Sequence, residues 1–343
     1  MLERPDLSNE AIARGLRDAY GISAQQITFL PIGYDSTASV FRVDGTDGRS
    51  FFLKTKSVPV SPPALLVPHF LREIGIGQIV APLSTRTGHL SAPLGDGFNA
   101  ILYPFVPGRM GADGGLSPAQ WMEFGQIVRR VHTAPVPPDL ASQMRTEPFV
   151  PLKRELAWAL HQEIATASYT DPIQRALADC WRARGAQIEK IFRRAEALGR
   201  MAQTRQPEFV LCHADIHIFN VLVTPDEQLY IIDWDETILA PKERDLMFLL
   251  AGAQADGAES DPTETAFRQG YGCAPLDPVL LAFYRYEWVV QEIAEFGKQV
   301  LWPDGGGEAT RLDGLHQFRA LFDPGDVVER AYRSDISSQK ENS

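Results

Sequence analysis

Between residues 209 and 236 the chain reads FVLC, HADIHIFN, VLV, TPDEQ, LYII and DWDE, three short apolar runs separated by polar loops. Runs this rich in Val, Leu and Ile, with a Pro-Asp turn between the last two, predict a β-hairpin. Helical periodicities flank it on both sides, so the fold must carry this strand pair inside a mainly helical region. Hairpin closure then decides which side chains meet. Asp215 and Asn220 lie in the loop before the first arm and Asp233 ends the second, so folding gathers a carboxylate, an amide and a second carboxylate.

The first hundred residues have a different period. ITFLPI from Ile27, VFRV and SFFLKTK, with DGTDG joining the last two, read as three antiparallel strands. A helix is predicted over 62–73, and IVAP and AILYPFV (100–106) read as further strands. PGRMGADGGL has the composition of a hinge. From there Ser117 is a good N-cap, Pro118 suits the first turn, and Trp121, Phe124, Val128 and Val131 recur on one helical face. Further helices are expected at about 151–168, 173–200, 241–253 and 278–300. The expected fold is α+β and bilobal. Residues 1–106 form a small antiparallel-sheet lobe, a hinge spans about 103–116, and 107–343 form a larger, mainly helical lobe.

A chain of 343 residues is long enough for two cores. Its net charge of −11 disfavours a nucleic-acid partner and suits a cationic small substrate. Cys180, Cys212 and Cys273 are widely spaced and odd in number, which argues against a disulfide framework and fits a reducing cytoplasm. No uncharged apolar stretch approaches the roughly 20 residues of a membrane span, so no membrane partner is expected, and no obligate protein partner is evident in the sequence.

Magnesium takes hard oxygen donors and keeps waters and phosphate oxygens in its shell, so one carboxylate and one amide carbonyl suffice from the protein. Asn220 and Asp233 match that need, and Asp215 remains as the candidate base for an attacking hydroxyl. His213 and His217 are read as shaping the loop, and Asp245 in PKERDLMF as a structural acceptor. This set recurs in phosphotransferases of the protein-kinase type. The first lobe offers what their nucleotide needs: Lys54 for the phosphates, Ser36 and Thr37 in the GYDSTAS loop above them, and Tyr103 and Phe105 beside the adenine. ATP and magnesium are the cofactors implied.

HADIHIFNVLV, LYIIDWDE and APKERDLMF, together with FFLK, ILYPFV, FYRYE and FDP, resemble the aminoglycoside phosphotransferase family over nearly the whole chain, and most nearly its spectinomycin phosphotransferase branch. The resemblance implies a kinase-like bilobal fold and ATP-dependent phosphorylation of an aminocyclitol hydroxyl. By position it makes Asp215 the catalytic aspartate, Asn220 and Asp233 the magnesium ligands, and Lys54 the nucleotide lysine. One departure concerns that lysine. SPPALLVPHFLRE, where the family has the helix that pairs with it, holds no acid before Glu73.

Few residues separate DWDE from PKERDL, which leaves no room for a long activation segment and points to a small-molecule acceptor. Tyr284, Trp288, Glu292 and Glu295 fall on one stripe of the last long helix and suit a cationic ligand, and Asp235 joins them as a candidate acceptor contact. Three other readings remain open: a metabolite kinase acting on choline, homoserine or methylthioribose, a metal-dependent phosphohydrolase using the HxDxH donors, and a silent nucleotide-binding module.

Overall fold

The computed structural model describes residues 3–33, 37–95, 97–250, 261–272, 275–302 and 307–335. In chain order the elements begin α1 (Asn9–Tyr20), β1 (Ala24–Leu30), β2 (Ala38–Gly45), β3 (Ser50–Lys56), α2 (Pro62–Glu73), β4 (Ala92–Gly95), β5 (Phe98–Pro104), β6 (Arg109–Met110), α3 (Pro118–His132) and α4 (Pro138–Ala141). They continue with α5 (Arg154–Thr166), α6 (Pro172–Ala183), α7 (Gly185–Gln203), β7 (Val210–Cys212), β8 (Val221–Val223), β9 (Leu229–Ile231), β10 (Ile238–Ala240), α8 (Glu243–Leu249), α9 (Pro262–Tyr271), α10 (Pro278–Leu301), α11 (Glu308–Ala320) and α12 (Val327–Ser334). Two units result. One comprises Met1–Arg145, Leu211–Leu239 and Thr265–Gly272, and the other Thr146–Val210, Ala240–Glu264 and Cys273–Ser343.

The first unit is built on an antiparallel sheet of order β1-β2-β3-β5-β4: the three strands expected up to Lys56, β5 where AILYPFV is expected, and β4, which the sequence did not announce. SFFLKTK alternates as a half-buried strand should. Phe51, Leu53 and Thr55 are buried, and Phe51 and Leu53 join Phe41, Val43, Ile12 and Leu16 in a core under α1. That leaves Lys54 and Lys56 on the opposite face of the central strand, with Lys54 opposite Val40 on one side and Ile101 on the other. Helix α1 was not expected, although Ser8 caps its start and Gly21, at φ 71°, ends it. IVAP is not a strand: among its residues Ile79 forms a single parallel bridge, to Ile231.

The glycines of PGRMGADGGL allow close approach of backbones. A Cβ on Gly108 would lie 2.5 Å from the Val223 carbonyl oxygen, and one on Gly111 would lie 2.9 Å from that of Ile218. The segment between them, β6, pairs with β8, and β8 pairs with β9 in the predicted hairpin. Gln120 in the first turn of α3 holds the hairpin's turn. Its Oε1 accepts from the Ser117 N–H at 2.9 Å, completing a capping box, while its Nε2 donates to the Glu227 carboxylate at 2.7 Å.

In the second unit α10 is the central helix, packed by α5, α6, α7, α8, α11 and α12. Trp181 stacks on Phe318 at 5.3 Å in its core. The helix expected over 173–200 is two, broken at Arg184 (φ −110°, ψ 11°) just before Gly185. The PKERD segment is buried: Arg244 donates to Glu287 at 2.5 Å, and the other Glu287 oxygen accepts from the Leu152 N–H at 3.2 Å. No helix among the described residues is long and apolar enough to cross a membrane. Replacing Glu287 by Ala would strand the Arg244 charge in the core, so Glu287→Ala is expected to destabilise the protein by about 3–5 kcal/mol, read as a lowered urea midpoint.

Candidate active site

The loop between β7 and β8 is shaped by its own side chains. His213 is fully buried and bonded at both ring nitrogens: Nε2 donates to the Ile232 carbonyl at 2.9 Å, and Nδ1 accepts from the Asp215 N–H at 3.2 Å. Those roles fix its tautomer, with the proton on Nε2. The Trp234 ring lies against it at 4.5 Å. Ala214, between His213 and Asp215, takes a left-handed conformation at φ 70°, and Asp233 does the same at φ 63°. Such conformations in residues other than glycine are uncommon and concentrate at functional loops.

Both oxygens of Asp215 are engaged. Asn220 Nδ2 donates to Oδ2 at 2.9 Å and to the Asp215 backbone carbonyl at 2.8 Å, while His217 Nε2 pairs with Oδ1 at 3.1 Å. Burial would lower the His217 pKa, but the hydrogen bond and charge of Asp215 outweigh burial and hold it above its ordinary 6.5. The Asn220 carbonyl accepts from the Ile232 N–H at 3.0 Å, extending the β8–β9 ladder and bringing Asn220 beside the strand end that carries Asp233. The three residues of the predicted cluster are therefore gathered by one hairpin.

Lys54 reaches this strand end. Its Nζ lies 2.9 Å from Asp233 and 3.0 Å from Asp235, and Lys56 meets the same Asp235 oxygen at 2.5 Å. Burial acts to lower the Lys54 pKa, but Asp233 and Asp235 more than reverse that. Burial acts to raise the Asp235 pKa, and Lys54 and Lys56 hold it below the ordinary carboxylate value instead. Lys56 was not among the residues predicted, although its spacing of two from Lys54 on a strand was the signal for it.

Of the other predicted contacts, Ser36 lies outside the described residues, and the Thr37 carbonyl accepts from the Ser57 N–H at 3.0 Å. Tyr103 pairs across the sheet with Phe52, and burial pushes its hydroxyl pKa up. The Phe105 N–H is taken by the Ser50 carbonyl at 3.2 Å, and Arg42 stacks over the Phe105 ring at 4.7 Å. In the second unit Tyr284 is fully buried in the core of α10. Trp288 is half-buried with its ring edge-on to Phe248, Glu292 is half-buried, and Glu295 pairs with Lys153 at 2.5 Å. The HxDxH reading fails on His213, whose two nitrogens are held by backbone groups and so do not form part of a metal-ligand set.

A lysine on the third strand, an Asp–Asn loop and an acid at the end of a hairpin are the parts of a phosphoryl-transfer site. The phosphotransferase enzyme family (APH) matches residues 27–283. StrN of Streptomyces griseus is 27% identical over 253 residues, spanning 71% of this chain and 72% of that protein. The streptomycin 3''-kinase of Streptomyces griseus is 28% identical over 201 residues, 55% of this chain and 68% of that one. The structure of spectinomycin phosphotransferase APH(9)-Ia in complex with ADP and spectinomycin superposes with a TM-score of 0.83 at 32% identity, across 96% of this chain and 99% of that one. Amicoumacin kinase hAmiN, at 16% identity and a TM-score of 0.58, shares the fold. With an antiparallel sheet, a helical remainder and a family match over most of its length, this chain has the protein-kinase-like fold and belongs to the phosphotransferase enzyme family.

Proposed function

We propose that this protein transfers the γ-phosphoryl group of ATP to a hydroxyl of an aminocyclitol or aminoglycoside antibiotic, with spectinomycin the first acceptor to test. The observation that carries the reading is the Asp215 carboxylate, held at one oxygen by Asn220 and at the other by His217, on the loop beside the Lys54–Asp233 pair. The acceptor hydroxyl attacks the γ-phosphorus in line, its proton passes to Asp215, and ADP leaves. The transition state is loose, so positioning and charge do most of the work.

The donor set fits magnesium. Asn220 uses its Nδ2 on Asp215, which leaves its amide oxygen as a hard donor, and the Asp233 carboxylate is 44% exposed. Asn220 and Asp233 would hold the ion, which when bound would neutralise phosphate charge. Lys54 would bind the phosphates, Ser36 and Thr37 would lie over them, and Tyr103 and Phe105 would contact the adenine. On this reading residues 1–106 form the nucleotide lobe, and 107–343 carry the catalytic loop and the acceptor residues. Trp288, Glu292 and Glu295, the half-buried residues of the stripe, would contact the cationic acceptor, whereas Tyr284 is enclosed in the core. A reaction that consumes ATP suits the cytoplasm.

The spectinomycin reading is supported by the likeness to APH(9)-Ia at 32% identity over nearly the whole chain. A coupled ADP-release screen against aminocyclitols, aminoglycosides, choline, homoserine and methylthioribose is expected to give the highest kcat/KM with an aminocyclitol. A metabolite at the top of that ranking would replace the antibiotic reading with a metabolic one. Asp215→Asn is expected to lower kcat by about 10²–10⁴-fold, and turnover at the full rate in that variant would remove the assigned base. The His217–Asp215 pair also has a pH signature. Because the folded His217 pKa lies above 6.5, the stability it adds is fully present below that value and is lost as pH rises through the folded pKa. The melting-temperature difference between wild type and His217→Gln is therefore expected to be largest in mild acid and to shrink toward alkaline pH.

A further inference from the structure

Lys54 and Lys56 stand two residues apart on β3 and so leave the same face of the sheet, while Phe51, Leu53 and Thr55 take the other face into the core. Both lysine side chains are largely enclosed, at 12% and 14% exposure. Their ammonium groups converge on one oxygen of Asp235, at 3.0 Å and 2.5 Å. Two enclosed like charges repel unless an opposite charge lies between them, and Asp235 supplies it. Helix α2 does not offer an alternative partner within its length. Its sole acid, Glu73, is in the last turn, two-thirds exposed, beside His69 at 3.6 Å.

We propose that Lys56 is a second phosphate-binding cation of the nucleotide site, and that Asp235 is the positioning residue that holds Lys54 and Lys56 side by side. This rests on the ATP-dependent reading given above. An ammonium group is a compact charge with three donors, and adjacent phosphates present separate oxygens to two of them. A cationic acceptor fits Asp235 poorly, because two positive charges already span that carboxylate. The assignment also answers the departure noted in α2: the carboxylate that steadies the nucleotide lysine comes from DWDE instead of from a helix.

Calorimetric titration of the full chain with ADP and with adenosine, both in EDTA, reads the phosphate contact separately from the rest of the site. Lys56→Met is expected to weaken ADP about tenfold and to leave adenosine unchanged, and Lys56→Arg is expected to restore most of the loss. Asp235→Asn is expected to lower kcat about tenfold or more at saturating nucleotide, with adenosine affinity retained and part of the rate recovered in Asp235→Glu. Equal ADP affinity in Lys56→Met and wild type overturns the phosphate role, and so does a parallel loss for adenosine, which marks a merely structural lysine. A wild-type kcat in Asp235→Asn overturns the positioning role. A wild-type chain that binds no ADP overturns the underlying nucleotide reading instead.

Discussion

Asn220 joins the loop that carries Asp215 to the strand end of the hairpin. Its carbonyl accepts from Ile232 at the end of the hairpin, and its side-chain amide donates twice to Asp215 on the loop. A hydrogen bond to a carboxylate contributes roughly 1.5–3 kcal/mol, enough to hold a short loop in one conformation. Without that link the hairpin would still form through Val221–Val223 and Leu229–Ile231, but the Asp215 carboxylate would keep only its His217 contact to set its direction. The chemistry proposed for this unit depends on direction more than on which groups are present.

His213 strengthens the same link from below. Because it bridges the Asp215 N–H and the Ile232 carbonyl, the loop and the strand end share a buried ring as well as an amide. The two histidines of HADIHIFN thus divide their roles by burial. His213 is enclosed and bonded to backbone at both nitrogens, whereas His217 is partly exposed and pairs with a charge.

Much of this was legible in the sequence wherever a period or a turn residue gave the signal. The hairpin arms, SFFLKTK and the α3 face emerged close to where they were expected, because alternation and capping are local properties. Others depended on tertiary context. β4, β6 and β10 are strands of two to four residues, too short to show a period, and they exist because neighbouring strands complete them. Glycines at 108 and 111 looked like a flexible connection, yet contact with the Val223 and Ile218 carbonyls sets their identity. Tyr284 was placed on a ligand-facing stripe by its spacing. Spacing identifies a face, but α10 is packed by other helices on several sides, so one of its faces does not by itself indicate solvent. Resemblance points to α2 for the acidic anchor of Lys54, whereas contact across the fold supplies it from 181 residues further along the chain.

The left-handed turn at Ala214 limits the routes by which this loop can diverge in descent. A branched side chain there would bring its Cβ substituents against the following carbonyl, so valine, isoleucine and threonine are disfavoured whatever their chemistry. Glycine and asparagine enter that conformation most readily. While the surrounding acids are kept, this position therefore favours glycine, asparagine and other residues that tolerate the left-handed region over β-branched ones, and the preference would persist through any change of substrate.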